Sequence, residues 1–291
     1  MVGPERVGVV IPVHDGARHL EAAVRSILDQ TYPHLTVVVV DDGSSDGSGD
    51  VARSLAAQDQ RVRVIRCEGI GPGPARNAGI AALGDEEFVA AMDADDIAHV
   101  ERIERQLRAA TTMPEVLAWG CRMEMMTDDG QVLGNRSVGP ATIADWQARR
   151  ERGELVMLVG STIFCRRADL DRVGGYADVL LCDDFDLSDR LAALGPVLEL
   201  EDELVRYRVH GDGISQARFA EQSLHLRYVW HRAEARARGE TAESLEQFTV
   251  RCKNAPAPRR ALWWAQDRSR LHLRRATLAR AGGRRFAALG D

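Results

Sequence analysis

A single lysine, Lys253, stands beside 37 arginines in this 291-residue chain. The formal net charge is nonetheless −6, which argues against a general nucleic-acid binder, because such proteins need a basic field to hold phosphates. Cysteine is scarce and unpatterned. Cys67, Cys121, Cys165, Cys182 and Cys252 show no CxxC spacing and are odd in number, so neither a disulfide framework nor a zinc site is expected, and reduced thiols suit a cytoplasmic protein. Long apolar runs are missing too. No window approaches the roughly 18 uninterrupted apolar residues of a membrane span. The short run at 7–13 leads straight into polar sequence, so no secretory leader is expected. After that run, where a dinucleotide-binding domain would carry G-x-G-x-x-G, the chain reads His14-Asp15-Gly16-Ala17-Arg18, and the NAD fingerprint is excluded.

What is present is an apolar content of 45%, which supports a packed core, in a chain long enough for one large domain or a smaller one with an appendage. Valine-rich runs at 7–13 and 35–40, with further strands at 62–67 and 87–92, alternate with helical spacing at 20–28, 51–57 and 75–83. The loops at the strand C-termini are rich in Asp and Gly. This is the pattern of a doubly wound α/β sheet, whose ligands bind beyond the strand C-termini. The middle is less regular: strands are expected at 116–126 and 205–209, helices at 142–150 and 184–194, and an apolar crossing element at 155–166. Helices are expected to follow as far as 289. The charge is uneven, with nine arginines and two aspartates in 259–291, a tail of +7 against −13 for the remainder.

Three acidic clusters carry the chemistry. In Asp93-Ala94-Asp95-Asp96, extended geometry points Asp93 and Asp95 roughly the same way. One aspartate there could cap a helix starting near Ala98. Three together repel one another, and a hard divalent cation would relieve that while holding phosphate oxygens. Asp41-Asp42-Gly43-Ser44-Ser45-Asp46-Gly47 should open on the same sheet edge, either as an Asx-rich turn with Asp46 capping the next helix or as acceptors for a base N–H or ribose hydroxyls. The third is Asp183-Asp184-Phe185-Asp186-Leu187. Asp186 pairs with Arg190 at i,i+4 in the structural reading, which leaves a carboxylate to face a cavity as a general base. Arg76, in the Gly-Pro-rich turn at 71–79, is either an internal ion-pair partner or a contact for a diphosphate at a helix N-terminus. His210 follows a strand.

In order along the chain, Val9-Val10-Ile11-Pro12-Val13-His14, Gln30-Thr31-Tyr32-Pro33, the Asp41-Asp42-Gly43-Ser44 stretch, Ala75-Arg76-Asn77-Ala78-Gly79, Met92-Asp93-Ala94-Asp95-Asp96, Val173-Gly174-Gly175-Tyr176, the Asp183-Asp184 cluster and Arg206-Tyr207-Arg208-Val209-His210 together resemble the family-2 glycosyltransferases of the GT-A fold. The resemblance covers roughly residues 6 to 216. It implies a GT-A catalytic domain over 1–216 with a mostly parallel central sheet; the C-terminal helical region expected over 217–291 lies outside the resemblance. It implies a donor site formed by Pro12, Val13, His14, Asp41, Asp42, Arg76, Asp93 and Ala94, with Asp41 at the base and Asp93 near ribose and metal. Asp95 would be the main metal ligand, joined by Asp93 and His210 and supported by Asp96, and Asp184 would be the general base. Asp183 departs from the pattern, since Glu is more usual there and the shorter side chain reaches less far.

The implied reaction is an inverting, metal-dependent transfer of a hexosyl-type sugar from a nucleoside-diphosphate donor, UDP-linked among the options, to an acceptor hydroxyl by direct displacement. Mg2+ and Mn2+ suit the oxygen ligands equally. The acceptor is a saccharide, a lipid-linked or a small molecule. A nucleotidyltransferase or a catalytically silent nucleotide-sugar-binding protein is the alternative; the first would carry a Gly- and Arg/Lys-rich phosphate loop after its first strand, which this chain does not. The basic tail is expected to pack on the catalytic domain or on a second subunit of a homodimer, with transient membrane-surface association as the competing reading.

Overall fold

The computed structural model describes residues 5–178, 181–209 and 218–281, with side chains to Ser269. The N-terminal half follows the expected alternation. β1 (Val7–Val13) lies between β2 (Leu35–Asp42) and β4 (Phe88–Ala91), parallel to both, and β2 pairs in parallel with β3 (Val62–Cys67). These strands are valine-rich because both faces are covered. Val7, Val9, Ile11 and Val13 pack on one side, with Leu20, Val24 and Ile27 of α1 (Ala17–Leu28), Ala52 and Leu55 of α2 (Ser48–Gln58), and Ile103 and Leu107 of α4 (Arg102–Thr112). Val10 turns to the other side and meets Val38, Val40, and Ala75 and Ile80 of α3 (Pro72–Ala81). That helix sits close to the sheet because of Gly79, where a Cβ would fall 2.4 Å from Val10 Cγ1 and 2.9 Å from Val40 Cγ2.

Beyond β4 the sheet becomes mixed. β8 (Phe164–Arg166) is antiparallel to both β4 and β6 (Ala118–Thr127), β6 runs parallel to β9 (Val197–Val209), and the two-residue β5 (Ile97–Ala98) closes the far edge. β7 (Val132–Arg136) is a hairpin partner of β6. The order is β3-β2-β1-β4-β8-β6-β9-β5, nine strands with β7 among the described residues.

Three local expectations change. The helix expected near Ala98 begins at Arg102, because the chain after the aspartates first pairs with β9. The crossing element at 155–166 is mostly irregular, with a 3₁₀ turn at Gly160–Thr162 and three residues of strand. The short strand at 205–209 is the end of a thirteen-residue one, whose run Glu199-Leu200-Glu201-Asp202-Glu203 hides its pairing behind acidic side chains.

The other described helices are α5 (Ile143–Glu151), α6 (Arg167–Val173), α7 (Asp183–Ala192), α8 (Phe219–Ala237), α9 (Leu245–Lys253) and α10 (Ala257–Ala281); α6 and α8 pack on α7, and α9 and α10 pack on α8. Tyr228, Val229, Phe248 and Cys252 form a small apolar core with Leu155 and Cys182. Two buried carboxylates of α7 fix α8 in place. Asp186 bonds Arg190 at 2.7 Å and Arg232 at 2.8 Å, and Asp189 bonds Arg150 at 2.8 Å as well as Arg236. No described helix is long and apolar enough to cross a membrane.

Candidate active site

The parallel strands deliver their C-terminal loops to one edge of the sheet, and the acidic clusters meet there. Arg76, in the first turns of α3, is buried and bridges two of them: Nη2 donates to Asp93 Oδ1 at 2.6 Å and Nη1 to Asp183 Oδ2 at 2.5 Å. Its guanidinium also lies over the Tyr176 ring at 5.5 Å. Burial disfavours the charge on Arg76, but the facing carboxylates of Asp183 and Asp93 outweigh it and hold the group firmly protonated. Next to it, Asn77 Nδ2 donates to Tyr176 O at 2.7 Å and its Oδ1 accepts from Tyr176 N at 2.8 Å, so α3 also clamps the turn before the third cluster. Gly175 in that turn has φ +69° and a Cβ there would lie 2.6 Å from Asn77 Oδ1, which explains the glycine.

Asp184 starts α7 half-buried. Its Oδ2 accepts from Gly160 N at 2.9 Å and its Oδ1 from Phe185 N at 2.8 Å. Burial and the neighbouring Asp183 charge push its pKa up to about 7, against the lowering influence of Arg76. Asp183 is raised by burial in the same way, with Arg76 opposing. Asp186, the third acid of the cluster, is buried between two arginines and turned toward α8, away from this edge.

The D-x-D-D loop divides its work. Asp96 is buried, accepts from Ser161 Oγ at 2.5 Å and from Arg208 N at 2.8 Å, and so ties the loop to the 3₁₀ turn and to β9. Burial, then the Asp95 and Asp93 charges, raise its pKa well above the usual carboxylate value. Asp93 and Asp95 are partly exposed, and Arg208 Nε holds the Asp95 carbonyl at 2.7 Å. None of the three caps α4, whose N-cap is Glu101. Ala94 is buried between Asp93 and Asp95.

On the β2 side the paired aspartates diverge. Asp41 is buried and accepts from Ser44 N at 2.9 Å and Arg66 Nη1 at 2.7 Å. Asp42 accepts from Ile70 N and Gly71 N, both at 2.8 Å, and thereby sets the loop that leads into α3. His14, just past Pro12 and Val13 at the end of β1, bonds Asp42 O through Nδ1 at 2.7 Å. Asp46 accepts from Ser48 N and Ala17 N, each at 2.9 Å, linking the starts of α1 and α2. His210 lies outside the described residues.

Asp93, Asp95, Asp96, Asp183 and Asp184 offer carboxylate oxygens on this edge, which suit a hard cation. Among the described residues no three His, Cys, Asp or Glu side chains are arranged to cage one. Such a set fits a cation that takes one or two carboxylates and completes its shell with phosphate oxygens and water. Arg66, Ser161 and Gly160 escaped the sequence reading. Arg66 becomes visible only once the register sets it opposite Asp41, and the other two sit in the irregular segment. Cavities of about 260 and 770 Å³ lie at the opposite end of the strands, beside Arg6, His34 and Glu86 and beside Glu87, Arg166 and Asp171, away from all three clusters.

Comparison with known proteins identifies the family and the fold. The model of "Glycosyl transferase family 2" matches residues 8–174. The chain is 38% identical to "Glycosyltransferase GlyG" of Streptococcus pneumoniae serotype 4 over 101 residues, 34% of this chain and 33% of that one. It is 29% identical to an uncharacterized glycosyltransferase of Nostoc sp. over 225 residues, 71% of this chain and 65% of that one. The chain thus spans between a third and two-thirds of these curated relatives. Among solved structures, the mannosyltransferase PcManGT from Pyrobaculum calidifontis, in complex with GDP-Man and Mn2+, superposes with a TM-score of 0.60 at 20% identity, over 100% of this chain and 79% of that one. S. aureus TarS 1–349 with UDP-GlcNAc gives 0.59 at 19% identity, over 77% and 65%. At these identities the likeness is one of fold.

Proposed function

The chain belongs to glycosyl transferase family 2, and we propose that it transfers a sugar from a nucleoside-diphosphate donor to an acceptor hydroxyl by direct displacement, with inversion at the anomeric carbon. The observation that carries this reading is Asp184: a half-buried carboxylate whose pKa lies near 7, held by the Gly160 and Phe185 N–H groups at the edge where the nucleotide-side loops converge. As the acceptor oxygen forms its bond to the anomeric carbon, its proton passes to Asp184. The bond from that carbon to the diphosphate oxygen breaks, and the electron pair leaves with the nucleoside diphosphate. A base poised near the working pH serves this step best. No covalent enzyme intermediate is needed.

Asp41 and His14 stand on the nucleotide side of the site. Asp42 acts through the 70–71 backbone, which it holds in place for α3. Arg76 is a positioning residue: it fixes Asp93 and Asp183 and supplies fixed positive charge beside the growing negative charge of the leaving group. Asp95, with Asp93, would hold Mg2+ or Mn2+, and Asp96 supports them from beneath. When bound, such a cation neutralises charge on the departing diphosphate. That one structural neighbour was solved with GDP-Man and Mn2+ and another with UDP-GlcNAc supports a nucleotide-sugar donor of this class.

The test is a matrix of nucleotide sugars with Mn2+ or Mg2+, following released nucleoside diphosphate and then the glycosylated product. Transfer from one donor, stopped by chelation, is the expected result. Donor binding with no release under any acceptor would favour a silent binding protein instead.

A further inference from the structure

We infer that α10 is a membrane-surface docking helix, whose exposed Leu262 and Trp264 and surrounding arginines bind an anionic lipid surface. Trp263 and Asp267, one turn apart, face inward. The Trp263 ring packs on the small C-terminal core and takes the Arg227 guanidinium at 5.4 Å, while Asp267 pairs with Arg227 at 2.9 Å. The inner face is therefore already occupied. On the outer side Leu262 is 57% and Trp264 62% exposed, with the small, exposed Ala261 and Ala265 between them. Large apolar side chains at this exposure, together on a helix, mark a contact surface more than ordinary solvent-facing sequence.

The arginines name the partner. Over 257–281 the sequence has seven arginines and one aspartate, a net +6 against −12 for the rest of the chain. Arg259 and Arg260 are exposed and keep their charge at the surface while making light local contacts: Arg259 lies over Trp263 at 5.2 Å, and Arg260 Nη1 donates to Lys253 O at 3.3 Å. Arg268 lies over Trp264 at 5.1 Å. A guanidinium stacked on the exposed Trp264 suits the headgroup layer, where an indole sits between apolar and wet surroundings. An anionic surface attracts this helix and repels the acidic remainder, which selects a single orientation. Because α10 lies against α8 and against β7, the hairpin that follows the active-site end of β6, a docked molecule would bring its catalytic edge toward the lipid.

The experiment is co-sedimentation of the full chain with vesicles of phosphatidylcholine alone, or with about a quarter phosphatidylglycerol, at physiological salt, alongside light scattering for oligomeric state. The wild type should sediment with the anionic vesicles only. Leu262→Ser/Trp264→Ser and, separately, Arg259→Glu/Arg260→Glu should each lower the sedimented fraction by about five-fold or more, with circular dichroism showing that the fold is retained. Failure of the wild type to sediment, or indifference to both double substitutions, would overturn the assignment. So would a wild-type dimer that the Leu262→Ser/Trp264→Ser change dissociates, since a second copy would then cover this face.

Discussion

Arg76 and Asp183 are held 2.5 Å apart in the protein interior, and the same guanidinium reaches Asp93 at 2.6 Å, so one side chain joins two acidic loops that lie 90 residues apart in sequence. Removing it leaves two carboxylates facing each other without a counter-charge. Arg76→Ala should lower unfolding stability by about 3–5 kcal/mol, the scale of a broken buried ion pair. Arg76→Lys should recover only part of that, because a single ammonium cannot span both partners as the planar fork does. Urea denaturation of the three proteins measures the series.

Asp42 fills both its oxygens with backbone N–H groups of residues 70 and 71. Asp42→Ala strands those donors and should cost about 1–3 kcal/mol. Native-state hydrogen exchange would show the change as faster exchange at Ile70 and Gly71. Unchanged protection there would mean the loop is held by something else.

The two neighbouring aspartates show where sequence reading stops. Their position at the end of a valine-rich strand, and hence at the ligand edge, follows from local pattern alone. Their separate tasks do not: Asp41 meets Arg66 only because β2 and β3 pair in that register, and Asp42 meets a loop 28 residues away. Likewise the i,i+4 pair of Asp186 and Arg190 is readable on a helix, whereas the Asp186–Arg232 contact depends on how α8 packs. The acidic run in β9 lies outside the strand expected at 205–209, because its strand character comes from pairing with β6. Of the candidate site, the carboxylates were legible and the groups that hold them, the Gly160 N–H and the Ser161 hydroxyl above all, were not.

Gly79 offers a test of packing against propensity. Alanine is the better helix former by about 1 kcal/mol. Its Cβ, however, would press on Val10 and Val40 at 2.4 and 2.9 Å, and β-branched side chains have little room to rotate away. Gly79→Ala should therefore be destabilising by about 1–2 kcal/mol net, read as a lower thermal midpoint. A neutral or raised midpoint would show that α3 can lift from the sheet.

Asp95→Ala should raise the half-saturating Mn2+ concentration for transfer by roughly ten-fold or more, while the fold is kept. Calorimetric titration of donor with and without Mn2+ separates loss of the cation from loss of the nucleotide. Unchanged metal dependence would remove Asp95 from the ligand set.

The most direct test of the whole account is the pH dependence of kcat/KM for the wild type and Asp184→Asn, from about pH 5.5 to 9, with donor binding measured in parallel. Because burial and Asp183 hold the Asp184 pKa near 7, the carboxylate is protonated and idle at low pH. Wild-type activity should rise with pH through about 7 and then level off. Asp184→Asn should bind donor as the wild type does, lose that rising limb and turn over at least about 100-fold more slowly. A folded Asp184→Asn protein with near-wild-type turnover and the same rising limb would contradict the account and assign the proton to another group.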